Sequence, residues 1–286
     1  MRVLVVTAVP AERDAVVRGA SPAGEPEETA VPGGVLHRVR HPAGPVLDVL
    51  AAGVGPGAAG AGASAALAAA ALRSQPYGLV LSAGIGGGFQ PAAPVGSLVV
   101  SDAIVAADLG AETPEGFRST AELGFGTVAH RAPEHLVRAV AEATGAAAGT
   151  VLTVSTATGS AERAAELADR HPGALAEAME GFGVAEAAAA HGVPALEIRA
   201  VSNPVGPRDR AAWRIGEALA ALGHAFDRWA DLAHVQDPAD VGDLADSRDL
   251  ADVRNPADVR NLADVRDPAD VQIPADRLGT EEERTP

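Results

Sequence analysis

Short β-branched and aliphatic runs alternate with longer alanine-rich segments through the first 230 or so residues, and this alternation sets the expected elements. Residues 2–6 predict a strand. Pro10 followed by Ala11-Glu12-Arg13 opens a helix, because a first-turn N–H has no helical partner to lose. Residues 21–45, rich in Pro, Gly and Glu, predict loop and weak strand. Residues 46–51 predict a second strand, closed by Gly53-Val54-Gly55-Pro56-Gly57, with a helix over 58–73. A third strand over 79–82 runs into Ala83-Gly84-Ile85-Gly86-Gly87-Gly88, and a fourth covers 99–105.

Residues 108–127 lack a clean period and predict a loop over a site. The later elements are a helix over 133–143, a strand over 150–154, a helix over 160–170 and a small-residue helix opened by Ala178-Met179-Glu180-Gly181 and running to 191. A strand over 195–201 follows, then an amphipathic helix from about 210 to 229. Strands and helices alternating at these intervals predict an α/β fold, with a mostly parallel sheet covered on both faces.

Past residue 236 the pattern changes. DPADVG, DLADSR, DLADVR, NPADVR, NLADVR and DPADVQ repeat every six residues, with a degraded copy from Ile273. Recurrent prolines and little apolar surface favour disorder over a packed coil. The expected division is therefore a catalytic domain over 1–232 and an acidic low-complexity tail over 233–286.

Composition narrows the chemistry. The chain has no Cys, and all 22 basic residues are Arg, which excludes thiolate, P-loop-lysine and Schiff-base mechanisms. The net charge is −16; residues 237–286 hold 14 acidic and 6 basic side chains, a net of −8. That balance argues against a nonspecific surface for nucleic acid or an anionic membrane, which needs clustered basic residues. The N-terminal apolar run ends too early for a secretory signal, and residues 58–72 are too few to span a bilayer, so a cytoplasmic protein is expected. His37 with His41, and His130 with His135, lack a third ligand at useful spacing, so no metal site is expected.

The candidate chemistry collects at strand ends. Leu196 to Asp209 reads as a buried strand running out at Arg199, Ser202 and Asn203 into a turn bounded by Pro204 and Pro207, where open α/β sheets bind ligands. The glycines from Gly84 to Gly88 suit close backbone approach to a flat or anionic ligand. Gly55-Pro56-Gly57-Ala58-Ala59-Gly60 matches a dinucleotide fingerprint, yet the next strand ends in Ser82 and Ala83 without the acid that would hold a ribose. A glycine turn packing a helix onto the sheet is the alternative. Glu12 and Glu180 are either catalytic acids or charges complementing helix starts, and Arg199 is either functional or a surface partner of Glu197.

Pro10-Ala11-Glu12, Gly53-Val54-Gly55, Ser82 to Gly88, Met179-Glu180-Gly181 and Arg199-Ala200-Val201-Ser202-Asn203, in this order, resemble the nucleoside phosphorylase and nucleosidase superfamily, and within it most of all the futalosine hydrolases of menaquinone biosynthesis. The resemblance implies a three-layer sandwich on a central twisted mixed sheet, a nucleoside substrate, no cofactor, and at least a homodimer. It implies Glu12 as general base on water, Glu180 on the ribose hydroxyls with Met179 against the sugar, and Arg199 orienting water or carboxylates. In the related methylthioadenosine and adenosylhomocysteine nucleosidases an Asp stands where this chain has Asn203. An Asn amide donates to the O6 of hypoxanthine, whereas an ionised Asp repels it. Gly84, Ile85, Gly86, Gly87 and Ser202 would line the substrate site. Ile85 is apolar where a phosphorylase hydroxyl would help bind phosphate. Arg208, Arg210 and Trp213 are candidates for the carboxyphenyl end, Trp213 equally as an anchor of the last helix.

Overall fold

A computed structural model describes residues 1–21, 25–40 and 44–228. The acidic tail, and the expected end of the last helix at Trp229, lie outside the described residues. In chain order the elements are β1 (Arg2–Thr7), α1 (Pro10–Ala20), β2 (Glu27–Val31), β3 (Gly34–Arg40), β4 (Val46–Ala51), α2 (Pro56–Leu72), β5 (Leu79–Gly88) and β6 (Leu98–Ala106). They continue with β7 (Gly110–Thr113), β8 (Gly116–Ser119), β9 (Ala129–Arg131), α3 (Glu134–Thr144), β10 (Ala147–Thr153), α4 (Ala161–Arg170), β11 (Ala174–Ala178), α5 (Gly181–Ala190), β12 (Ala195–Pro204) and α6 (Ile215–Asp227).

The main sheet runs β11-β10-β6-β12-β5-β1-β4-β3-β2, with β9 on β6 and a further pairing of β11 with β5. It is mixed. β4, β1, β5 and β12 pair in parallel, as do β6, β10 and β11, whereas β12 meets β6, and β11 meets β5, antiparallel. The mostly parallel sheet expected from element spacing thus describes the inner strands of each half, but not the junction between them nor the edges, where β2, β3 and β9 pair antiparallel. One of the two junction contacts uses β11, a strand the sequence reading did not separate from the Met179-Glu180 helix start.

Period-two alternation explains why β1 reads as a continuous apolar run. Val3 and Val5 enter a core with α1, α3 and α6; Leu4 and Val6 enter a second core with α2 and α5. A strand covered on both faces has no polar side to show. Residues 27–40, expected as loop and weak strand, form the antiparallel pair β2 and β3 at the sheet edge. Residues 108–127 are not all loop, since β7 and β8 make a separate hairpin. The final helix starts later than expected: residues 210–212 form a 3-10 turn, and α6 begins at Ile215. Among the described residues no helix is long and apolar enough to cross a membrane.

The glycine fingerprint before α2 serves packing. A Cβ on Gly60 would sit 2.9 Å from the Gly183 carbonyl oxygen, and one on Gly183 would sit 1.9 Å from that of Pro56. Here α2 and α5 cross backbone to backbone.

Candidate active site

Four ionisable side chains from α1, the start of α5 and β12 meet under the strand ends, all nearly inaccessible: Glu12 is 4%, Glu180 5%, Glu197 0% and Arg199 1% exposed. Glu12 lies in the first turn of α1. Its Oε2 accepts the N–H groups of Ala8 (3.0 Å) and Val9 (3.2 Å), and its Oε1 accepts that of Ile85 (2.9 Å). Three donors occupy three of about four acceptor positions of a carboxylate, and the remaining one is on Oε1. Glu180 caps α5. Its Oε1 accepts the Gly55 N–H at 3.1 Å, and its Oε2 pairs with Arg199 Nη1 at 3.2 Å. Gly55 reaches it with a φ of 90°, a backbone state that glycine supplies at little cost.

Arg199 is the hub. Nε donates to Glu197 Oε1 at 2.7 Å, Nη2 to Ser82 Oγ at 3.0 Å and Nη1 to the Ile85 carbonyl at 3.3 Å. Burial alone pulls a guanidinium down, but Glu197, Glu180 and Glu12 outweigh it, so Arg199 is held charged. Glu197 behaves oppositely: full burial raises its pKa despite Arg199. The surface reading of Arg199 with Glu197 is corrected here, because the pair exists and is buried. Period two, which puts residues 197 and 199 on one face of β12, was the available signal.

Gly84 lies between Glu12 and Arg199. A Cβ built on it would stand 2.6 Å from both Glu12 Oε1 and Arg199 Nη1. Its missing side chain lets an acceptor and a cationic donor close in on the same stretch of backbone, with no room for a methyl between them. Ile85 is half-buried against the α1 and α6 core and turns only its backbone to Glu12 and Arg199.

A second polar cluster is built from β5 and β12. Asn203 and Glu177 are the register partners of Gly87 on its two flanks. The Ser202 hydroxyl donates its one hydrogen to Asn203 Oδ1 (2.8 Å), the nearer of two acceptors within reach, and so turns the half-buried amide; the other acceptor is the Gly86 carbonyl (3.2 Å). Asn203 Nδ2 donates to the Pro204 carbonyl at 2.9 Å. One amide hydrogen is thereby used within the turn and the other is left. Met179 is half-buried where β11 meets α5. Arg208 and Trp213 join a separate stack in which the guanidinium carbons of Arg208 and Arg210 lie 5.1 and 5.9 Å from the Trp213 ring centre. The Arg208 stem also passes Gly159, where a Cβ would contact it at 3.7 Å.

Sequence reasoning missed Glu177, whose carboxylate accepts both the N–H and the hydroxyl of Thr158 and so holds the segment after β10. Burial raises its pKa, and the Thr158 bonds oppose that.

Residues 2–233 match the phosphorylase superfamily. A futalosine hydrolase of Streptomyces coelicolor is 66% identical over 238 residues, covering 83% of this chain and 99% of that relative. The chain belongs to the futalosine hydrolases. Within that family the fold is shared with a solved futalosine hydrolase mutant of Helicobacter pylori, with a TM-score of 0.68 and 18% identity over 81% of this chain and 99% of the other. A methylthioadenosine/adenosylhomocysteine nucleosidase of Colwellia psychrerythraea, solved with adenine, has a TM-score of 0.68 and 21% identity over 82% of this chain and 96% of its own. As a futalosine hydrolase relative the chain is an N-glycosyl hydrolase, and the dinucleotide reading of Gly55 to Gly60 falls away.

Proposed function

We propose that the protein hydrolyses the N-glycosidic bond of futalosine, releasing hypoxanthine and dehypoxanthine futalosine, as a cytoplasmic step of menaquinone biosynthesis. The observation that carries this reading is the convergence of Glu12 Oε1 and Arg199 Nη1 on Gly84, each 2.6 Å from the point where a side chain would begin. Breaking the bond builds cationic character on the sugar and negative charge on the departing base, so a catalyst gains by stabilising both and by holding water near the sugar. Water beside Gly84 would give its proton to Glu12 while Arg199 Nη1 orients it. Glu180 would exchange one of its present partners for the ribose hydroxyls, with Met179 packed on the sugar. Asn203 would donate its remaining amide hydrogen to the base at O6. Gly86, Gly87 and Ser202 support that edge, and the Arg208, Arg210 and Trp213 stack offers a cationic aromatic surface for a carboxyphenyl group.

The deciding experiment measures base release from futalosine, inosine and methylthioadenosine, each with and without phosphate. Hypoxanthine release from futalosine alone, independent of phosphate and retained on truncation after Gln236, is expected. Phosphate-dependent release, or preference for methylthioadenosine, would overturn the assignment.

Gly84→Ala is expected to lower kcat by at least about 100-fold, because its methyl would push apart Glu12 and Arg199, groups that need placement to within about 1 Å. Steady-state rates retaining more than a tenth of wild type would contradict this. For Asn203→Asp, kcat/KM on hypoxanthine nucleosides should fall about 30-fold relative to adenine nucleosides, the order expected when a donor facing O6 becomes a repelling acceptor. An unchanged ratio would remove Asn203 from base recognition.

A homodimer completes this proposal. From Pro56 to Leu72, α2 has no charged residue; Ala58 and Ala61 are exposed, Leu72 is 88% exposed, and Val54 just before the helix is 58% exposed. A helix apolar all round ordinarily has all its faces covered, so a second copy over this face fits. Light scattering should give a dimer, and Ala61→Arg should give monomers; a monomeric wild type would end the idea.

A further inference from the structure

We propose that Glu197 is a positioning residue for Arg199, fixing the plane of its guanidinium so that Nη1 faces Glu180 and lies against Gly84 opposite Glu12. The inference rests on the hydrolase reading of that site. A guanidinium is a rigid planar fork, so anchoring two of its nitrogens determines where the third points. Glu197 Oε1 anchors Nε at 2.7 Å and Ser82 Oγ anchors Nη2 at 3.0 Å. Nη1 then has one direction left, toward Ile85 O and Glu180 Oε2.

The surroundings of Glu197 argue against a purely stabilising role. It is fully buried, its backbone N–H is already satisfied by Ser101 Oγ, and its second oxygen, Oε2, has no hydrogen-bond partner. A buried acid with an orphan oxygen is a net cost to the fold, and such costs concentrate where function needs them. Arg199 would keep a buried counter-charge in Glu180 without it.

The same carboxylate explains the glycine after Met179-Glu180. A Cβ on Gly181 would stand 2.0 Å from Glu197 Oε2 and 2.4 Å from its carboxyl carbon. Gly181 and Glu197 are therefore a complementary pair, with the glycine making room for the acid that turns the arginine.

The test compares Glu197→Val, Glu197→Gln, Gly181→Ala and the Gly181→Ala/Glu197→Val double variant in the full-length protein. Three readouts are used: kcat and KM on futalosine, the thermal midpoint, and the NMR signal of Arg199 Nε–H, which needs no substrate. Gly181→Ala should lower the midpoint by about 5 °C through overpacking. Glu197→Val should leave the midpoint at or above wild type while kcat falls about tenfold or more, KM changes less than about twofold, and the Nε–H signal loses its hydrogen-bonded shift. Glu197→Gln retains an acceptor for Nε and should recover most of kcat. The double variant should regain the midpoint lost in Gly181→Ala without regaining kcat, an outcome that space-filling alone does not produce. The proposal is overturned if Glu197→Val keeps kcat within twofold, if the double variant recovers kcat with the midpoint, or if the Nε–H signal is the same in wild type and Glu197→Val. Should wild type not hydrolyse futalosine, that reading fails, and the Nε–H comparison alone decides the positioning.

Discussion

Replacing Glu12 with glutamine is expected to lower kcat by about 10³-fold, within the range that a positioned general base contributes, while KM stays within about threefold. The geometry makes this substitution more severe than the loss of one charge. Glu12 accepts from Ala8, Val9 and Ile85, two N–H groups on one oxygen and one on the other. Glutamine has one acceptor oxygen. Its NH₂ must therefore oppose Ile85 N–H or the Ala8 and Val9 pair, and whichever is left unpaired costs about 1–3 kcal/mol. The oxygen with spare capacity faces Gly84, so an amide turned the other way also puts a donor against the water. Steady-state kinetics with a thermal midpoint separate the two effects: a small loss of stability with a large loss of kcat is expected. A kcat within tenfold of wild type would remove Glu12 as the base.

Arg199→Met should be the most damaging substitution for the fold. Arg199 is the cationic partner of both Glu180 and Glu197, which are buried. Removing one partner of a buried ion pair costs about 3–5 kcal/mol, because the other charge stays desolvated. For a domain of this size that corresponds to a fall of about 10 °C in thermal midpoint. The loss should depend on pH with a definite sign. Burial already raises the Glu197 pKa, and Arg199 is the group that holds it down. Without Arg199 the folded-state pKa rises further above the unfolded value. Stability is then retained below the unfolded pKa and lost as pH increases through the folded one. Arg199→Met should therefore be closer to wild type at pH 5 than at pH 8, and a midpoint difference that does not narrow on acidification would show that Glu197 is not the destabilised group. Adding Glu197→Leu should return part of the loss at pH 8.

The elements were legible where one local cause was sufficient. β1, β4 and α1 were expected within about a residue or two, because an uninterrupted apolar run between polar ends, or a proline at a first turn, leaves few alternatives. Strand β11 was not expected, since ALAEA has neither a clean period two nor a flanking turn that separates it from the helix after it. The hairpin of β2 and β3 was obscured by its edge position, where one face stays polar and the glycines read as loop. Both misses are cases in which pairing with a distant strand supplied what the local pattern lacked.

By itself, the sequence determined the alternating α/β plan, the residue types available for chemistry and the motifs that carry the family resemblance. Absence of Lys and Cys, an acidic balance and the order of Glu12, Met179-Glu180 and Arg199-Ala200-Val201-Ser202-Asn203 are properties of the chain, independent of how it packs. Tertiary structure decided what each group faces. It turned Glu197 from a possible surface partner into a buried anchor, brought Glu12 and Arg199 together against Gly84, and gave Gly55 and Gly60 to Glu180 and α5 instead of to a dinucleotide. The physical reason is range. Propensity and periodicity act over a few residues, whereas the charge state and orientation of a buried side chain depend on partners as far as 125 positions away in the chain, brought within about 3.1 Å only when the sheet closes.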